Sequence, residues 1–168
     1  MEHLRPTNLP SAIRLIEVVG RGGSAVVWRA RDRRSGRDVA VKVIGLPLDG
    51  PLREQTRARF ESELRALARL RHDHVLTVSA AGTDRDCCWV LTPLADGTLA
   101  GRMDRAPIAD PDELCELALA VGSGLAAAHR LDVVHGDVTP ANVLFCDGRP
   151  VLADFGIAVL EAGAGTGP

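Results

Sequence analysis

The stretch His135-Gly136-Asp137-Val138-Thr139-Pro140-Ala141-Asn142, with Asp154-Phe155-Gly156 after it, restricts this chain more than any other feature. Asp137 precedes Asn142 by five residues in a proline-containing loop, and one hairpin-like segment separates that loop from Asp154. Asn142 and Asp154 carry oxygen ligands of the hard type that magnesium prefers. With those two given to a metal, Asp137 is free to accept a proton from an attacking hydroxyl.

Upstream, Val39-Ala40-Val41-Lys42 puts a lysine in a strand rich in β-branched residues. An ammonium in a buried strand is costly unless an anion accompanies it. The alternative is an edge-strand lysine facing solvent. Composition favours the first reading: of 20 basic residues, 19 are arginine and only Lys42 is lysine. Its expected partner is Glu63, in the same helix face region as Phe60 and Leu67. Glu61, about 200° around the helix, is the competing choice.

Ahead of that strand lies Gly20-Arg21-Gly22-Gly23-Ser24-Ala25-Val26-Val27. Glycines at 20, 22 and 23 let backbone amides approach a phosphate chain without a side-chain clash. Taken alone this signal is weak, because glycine-rich hairpins are common. It opens between two strands, not between a strand and a helix, which argues against a Rossmann dinucleotide site.

The organisation around these motifs is α+β. Ile13–Val19, Ala25–Trp28 and Val39–Ile44 read as antiparallel strands, with a polar hairpin connection at 33–38. From Pro51 to Arg71 the period becomes helical, with Phe60, Leu64 and Leu67 on one face. Val75–Val78 and Cys88–Leu91 read as two further strands, separated by a polar turn around Gly82 to Asp86. Residues 1–92 are thus expected to form a lobe of five strands and one helix, and residues 93–98 a linker. Residues 99–168 form the second part. There Asp110 is an expected N-cap, with Pro111 at the first helical position and Glu113 placed for a capping box. An apolar stripe of Leu114, Leu117, Ala118, Val121 and Leu125 predicts a long buried helix to about Arg130. The tail from Ala162 is small and flexible in composition.

Charge and cysteine usage narrow the function classes. A net charge of −2 gives no electrostatic case for nucleic acid or an anionic membrane. Cys87, Cys88, Cys115 and Cys146 show no zinc-type spacing and read as free thiols in a reducing cytoplasm. Leu117–Ala128 is too short to span a bilayer, and the N-terminus lacks the apolar run of a signal peptide. The expectation is an intracellular chain, and the arginine bias suggests a high-GC bacterial source.

Taken in order, the glycine-rich loop, VAVK, the helix glutamate, HxDxxxxN and DFG resemble the signature set of Hanks-type (eukaryotic-like) bacterial serine/threonine protein kinases. The similarity runs from about Ile13 to Val159. It implies a protein-kinase-like fold, ATP and magnesium as cofactors, and proteins bearing serine or threonine as substrates. Gly20, Arg21, Gly22, Gly23, Ser24 and Ala25 would cover the ATP phosphates, with Val27 and Ala40 over the adenine. Lys42 would contact the α- and β-phosphates and pair with Glu63. Leu94 resembles the linker residue whose backbone bonds adenine, Leu91 the residue guarding the pocket behind it, and Leu144 its floor. Asp137 resembles the catalytic base, and Asn142 and Asp154 the metal ligands. Leu67, Val78, His135 and Phe155 resemble the apolar column that couples the lobes.

The chain departs from the family pattern in four places. Ala25 replaces the third glycine of the loop. Gly136 replaces the arginine that reads an activation-loop phosphate, so activity independent of such phosphorylation, for example at Thr166, is expected. Thr139 replaces a lysine that neutralises the transferring phosphoryl group. The sequence also stops soon after DFG, so a kinase truncated before its protein-gripping subdomain is expected. Two rival readings remain: a small-molecule phosphotransferase of the aminoglycoside or choline kinase type, and a nucleotide-binding or interaction module without turnover.

Overall fold

The structure is a computed structural model that describes residues 4–23 and 25–155, so Ser24 and everything from Gly156 on, including Thr166, lie outside the described residues. The chain divides into two compact units. Among the described residues, one comprises those up to Arg65 together with Val78–Leu94, the other Ala66–Thr77 and those from Ala95 to Phe155.

In the first unit, β1 (Ile13–Gly22), β2 (Ala25–Asp32), β3 (Asp38–Gly45), β4 (Ala80–Thr83) and β5 (Cys87–Pro93) form one antiparallel sheet in the order β1-β2-β3-β5-β4. Strand alternation sorts β3 between two faces. Val41 and Val43 are fully buried with Ala30, Cys87, Trp89 and Leu91. Ala40 and Lys42 therefore point the other way, and Lys42 lies directly opposite Val27 on β2 and Val90 on β5.

Helix α1 spans Pro51–Leu67, with Glu54 in its first turn and Arg65 in its last, both favourable to the helix dipole. Phe60 anchors it in the core at 1% exposure. Arg53 bonds the carbonyls of Pro47 and Leu48 at 2.9 Å each, tying the entry loop to the helix.

The fourth strand lies five residues later than the sequence pattern indicates. Val75 makes an isolated parallel bridge to Leu152 and joins the core of the second unit. Leu76 N–H bonds the Leu152 carbonyl and Leu152 N–H the His74 carbonyl, each at 2.9 Å. The apolar run at 75 is thus consumed by a different partner. Ala80–Thr83 pairs with β5 instead, although Gly82 reads as a turn. A Cβ at Gly82 would stand 2.6 Å from the Trp89 ring, so the indole lies across β4 where only glycine fits.

In the second unit, β6 (Gly97–Thr98), β7 (Val143–Cys146) and β8 (Arg149–Leu152) form a small sheet with α2 (Leu99–Met103) and α3 (Pro111–His129). Asp110 caps α3, its carboxylate accepting from the Asp112 N–H at 2.9 Å. Glu113 does not close the capping box that its spacing suggests; its carboxylate pairs with Arg102. The helix is buried on one side only. Leu117, Ala120, Gly124, Ala127 and Ala128 face the core, whereas Leu114 and Leu119 are 57% and 73% exposed.

Two glycines of α3 have opposite environments. A Cβ at Gly124 would stand 2.8 Å from the His74 carbonyl oxygen, whereas one at Gly122 would meet nothing within 4 Å. Gly122→Ala is expected to stabilise by about 0.5–1 kcal/mol through helix propensity. Gly124→Ala is expected to destabilise by about 1–3 kcal/mol through overpacking. Urea unfolding of both variants checks the pair; equal effects of one sign would refute the packing assigned here.

Candidate phosphotransfer site

The first unit carries the glycine-rich turn and Lys42. The turn joins β1 to β2, closed by the pairing of Gly22 with Ala25, and Gly23 has a positive φ of 30°. At Gly20 a Cβ would make only ordinary contact with Val27, and at Gly22 it would meet nothing within 4 Å. Nothing within the described residues therefore requires glycine at these two positions. Val27, Ala40 and Lys42 share the sheet face opposite the Val41–Trp89 core. Lys42 is itself engaged with other groups.

Glu63 sits on α1 with its Oε2 buried and without a hydrogen-bond partner among the described residues. Burial pushes its carboxyl up to about 7, and Arg59, one turn earlier, pulls in the opposite direction. No motif marks Arg59, though its i−4 spacing from Glu63 makes it a helical neighbour.

In the second unit, His135 organises the loop at 135–142. Its side chain is buried, its Nε2 bonds the Ala153 carbonyl at 2.7 Å, and its ring packs on Phe155 with centroids 4.6 Å apart. Nδ1 accepts from the Asp137 N–H at 3.2 Å, so Nε2 is the protonated nitrogen that donates to Ala153. Gly136 between them has φ +78°, a conformation that arginine or any other side chain would strain.

Asp137 is exposed and is held from below by Asn142. The Asn142 amide nitrogen donates to the Asp137 carbonyl at 2.8 Å and to its Oδ2 at 2.9 Å. Thr139, Pro140 and Asn142 shape the loop through a short 3-10 turn, closed by Asn142 N–H to the Thr139 carbonyl. Because the amide nitrogen is used toward Asp137, Oδ1 of Asn142 is left as the acceptor. The Asn142 carbonyl in turn accepts from the Ala153 N–H at 2.8 Å. Asp154 follows with φ +62°, a left-handed conformation that costs an ordinary residue on the order of 1–3 kcal/mol. Asp147 shares this conformation but has a local cause, the tight Asp147-Gly148 turn between β7 and β8.

Leu144 lies on β7, opposite Thr98 and Val151, and Leu91 is buried in β5. Leu67 and Phe155 pack into one cluster of the second unit with Leu70, Val75 and Leu152. Val78 belongs to the first unit, as does Leu94.

Oxygen donors suited to magnesium are present at Asn142 and Asp154, whose chemistry fits a metal held largely by phosphate oxygens and water. Among the described residues, no group of three or more His, Cys, Asp or Glu side chains is arranged to hold a metal alone. Cys87 and Cys88 are buried free thiols, pushed up to about 11 and about 12 chiefly by desolvation, so neither is a nucleophile near neutrality.

A five-stranded sheet with one helix, followed by a loop-and-hairpin unit of this order, is the protein-kinase-like fold. The protein kinase domain family matches residues 13–165, and the chain belongs to that family. It is 37% identical over 162 residues to the DNA damage-responsive serine/threonine-protein kinase RqkA of Deinococcus radiodurans, covering 92% of this chain and 23% of that protein. It is 37% identical to the serine/threonine-protein kinase PknK of Mycobacterium tuberculosis, covering 88% of this chain and 13% of that one. The crystal structure of a cysteine-to-alanine mutant of the Mycobacterium tuberculosis PknI kinase domain superposes with a TM-score of 0.73 at 30% identity, covering 88% of this chain and 60% of that one. The chain thus spans less than a quarter of the length of the RqkA and PknK relatives.

The Glu63 environment sets a pH dependence. A carboxyl whose folded pKa is about 7 binds protons more tightly folded than unfolded, where it titrates near 4.5. Its contribution to stability therefore falls as pH rises from about 4.5 to about 7 and is flat above. Glu63→Gln removes this loss. The thermal midpoint of the variant relative to the parent is expected to rise between pH 5 and pH 8 in matched buffers. An unchanged difference would refute a desolvated carboxyl at this site.

Proposed function

We propose that the chain carries the ATP- and magnesium-dependent phosphotransfer machinery of a serine/threonine protein kinase. The observation that carries this reading is the Asp137 network. Asn142 fixes one carboxylate oxygen and the backbone carbonyl, and the His135 ring fixes the amide, so the exposed carboxylate is oriented before any hydroxyl arrives. Such a group takes the proton of a serine or threonine hydroxyl as it attacks the γ-phosphorus. Asn142 Oδ1 and Asp154 would hold magnesium, which supplies charge neutralisation on the phosphates. Lys42 would grip the α- and β-phosphates, with Gly20, Gly22 and Gly23 allowing close approach of the backbone. Leu94 would bond the adenine through its backbone, and Leu144 would lie beneath it. Use of ATP supports a cytoplasmic site for the activity.

A second reading, a nucleotide-binding module without turnover, is favoured by one observation. Glu63 keeps a buried oxygen without a hydrogen-bond partner and holds its proton near neutrality. In the active arrangement we assign it to Lys42 as an ionised partner.

The two readings separate in one series. Mg-ATP at 100 times its dissociation constant should stabilise the wild-type chain by about 2.7 kcal/mol. Lys42→Ala and Asp154→Asn should lose most of that shift. Asp137→Asn should keep it and lose transfer of labelled phosphate to a serine-containing protein, by roughly 10²–10⁴-fold. Nucleotide binding without any transfer in the wild type supports the module. No binding at all sinks both.

A further inference from the structure

Residues 4–10, which precede β1 and belong to none of the kinase motifs, run across the sheet face opposite Lys42. At one end the Leu4 carbonyl accepts from Trp28 Nε1 at 3.2 Å, and the Arg5 guanidinium lies 4.9 Å above the Trp28 ring. Trp28 is on β2. At the other end Asn8 donates to the Thr83 carbonyl at 2.6 Å and accepts from Trp89 Nε1 at 2.7 Å. Thr7 donates its N–H and its hydroxyl to the Asp84 carboxylate, and these bonds hold that carboxyl below its ordinary range. Thr83, Asp84 and Trp89 belong to the β4–β5 hairpin.

Between β2 and β5 in the sheet order stands β3. The segment therefore clasps both flanking strands over the strand that carries Lys42. Leu4 and Leu9 pack on the cluster that contains Val41 and Val43, the two residues adjacent to Lys42, which are fully buried. Both tryptophans of the chain spend their indole N–H on the clasp. The hairpin it grips also receives α1, through Arg57 to Thr83 Oγ1 at 3.1 Å and Arg53 to Asp86, and the end of β3, through Leu46 N–H to the Asp86 carbonyl at 2.9 Å.

We propose that residues 4–10 are a strap that positions the Lys42 strand, with Thr7 and Asn8 as positioning residues, so that displacing the strap weakens nucleotide binding from the far side of the sheet. The coupling is mechanical. Val41 and Val43 share a backbone with Lys42, and removing their cover exposes apolar surface and frees the strand to shift. The link to nucleotide rests on the reading of Lys42 as a phosphate contact; the clasp on β3 does not.

Thr7→Ala and Asn8→Ala remove polar contacts at exposed or half-buried sites and are expected to leave the chain folded. Amide exchange and Mg-ATP affinity are read with Trp28 in place; for the emission measurement alone, a Trp28→Phe background leaves Trp89 as the single indole. Asn8→Ala should shift its emission to the red and raise its quenching by acrylamide. Amide exchange at Val41, Lys42 and Val43 should accelerate by roughly tenfold or more, and the dissociation constant for Mg-ATP should rise by roughly three- to thirtyfold. Asn8→Asp, which keeps the acceptor for Trp89 Nε1, should recover part of each effect. A red-shifted Trp89 with unchanged exchange on β3 overturns the clasp. So does an Asn8→Ala variant with unaltered emission. Faster β3 exchange with unaltered Mg-ATP affinity overturns the positioning role. Failure of the wild type to bind Mg-ATP, with faster β3 exchange in the variant, leaves the clasp standing and sinks the kinase reading instead.

Discussion

The second unit depends on one buried imidazole. His135 has no solvent to satisfy it, so both ring nitrogens must find partners within the protein. Those partners are the Ala153 carbonyl, immediately before Asp154, and the Asp137 amide. A single side chain thereby sets the spacing between the proposed base and the proposed metal ligand. Phe155 completes the arrangement by packing its ring on the imidazole and its body into the Leu70–Leu152 cluster. The backbone reinforces the same link, since Ala153 N–H bonds the Asn142 carbonyl. Losing the imidazole would leave a buried carbonyl without a donor, a penalty of about 1–3 kcal/mol.

That link explains why the left-handed backbone of Asp154 persists. Asp154 has no glycine-like freedom. It is over-determined by its neighbours: Ala153 is bonded through both its carbonyl and its amide, and Phe155 is buried at 3% exposure. Strain held between two fixed residues orients the carboxylate before any ligand is present. Gly136 is the complementary case, where the loop turns sharply and glycine removes the strain. The glycine that departs from the family's arginine is thus suited to the backbone it occupies.

Legibility in the sequence follows the range over which each signal acts. The β1–β2–β3 meander is readable because alternation and a polar hairpin are local, and α3 because Asp110 and Pro111 mark its start. The loop at 135–142 is readable because its chemistry and its turn residues lie within eight positions. What is not readable depends on partners distant in sequence. Val75 and Leu76 carry a strand-like pattern, yet their partner is Leu152, and the true β4 is spelled Ala80-Ala81-Gly82-Thr83, a poor strand sequence held by the Trp89 ring. The exposed Leu114 carries the same helical period as buried residues, so a stripe alone overstates how much of α3 is covered. The strap of residues 4–10 has no periodicity at all and is defined only by where two indole N–H groups point.

The β4–β5 hairpin is where these long-range constraints meet in the first unit. It receives the strap through Asn8 and Thr7, the Glu63-bearing helix through Arg53 and Arg57, and the end of the Lys42 strand through Leu46. Desolvation holds the Glu63 carboxyl at about 7, so it is only partly ionised near neutrality, and a nearby cation moves it toward the ionised form. The attraction between unit charges at an effective dielectric of about 20 is about 4 kcal/mol at 4 Å and about half that at 8 Å. A shift of one helical turn in the register of α1 against β3 would therefore decide whether the ion pair proposed with Lys42 outweighs desolvation. The hairpin bonds both α1 and the end of β3, so the proposed strap, the helix of Glu63 and the strand of Lys42 share one support.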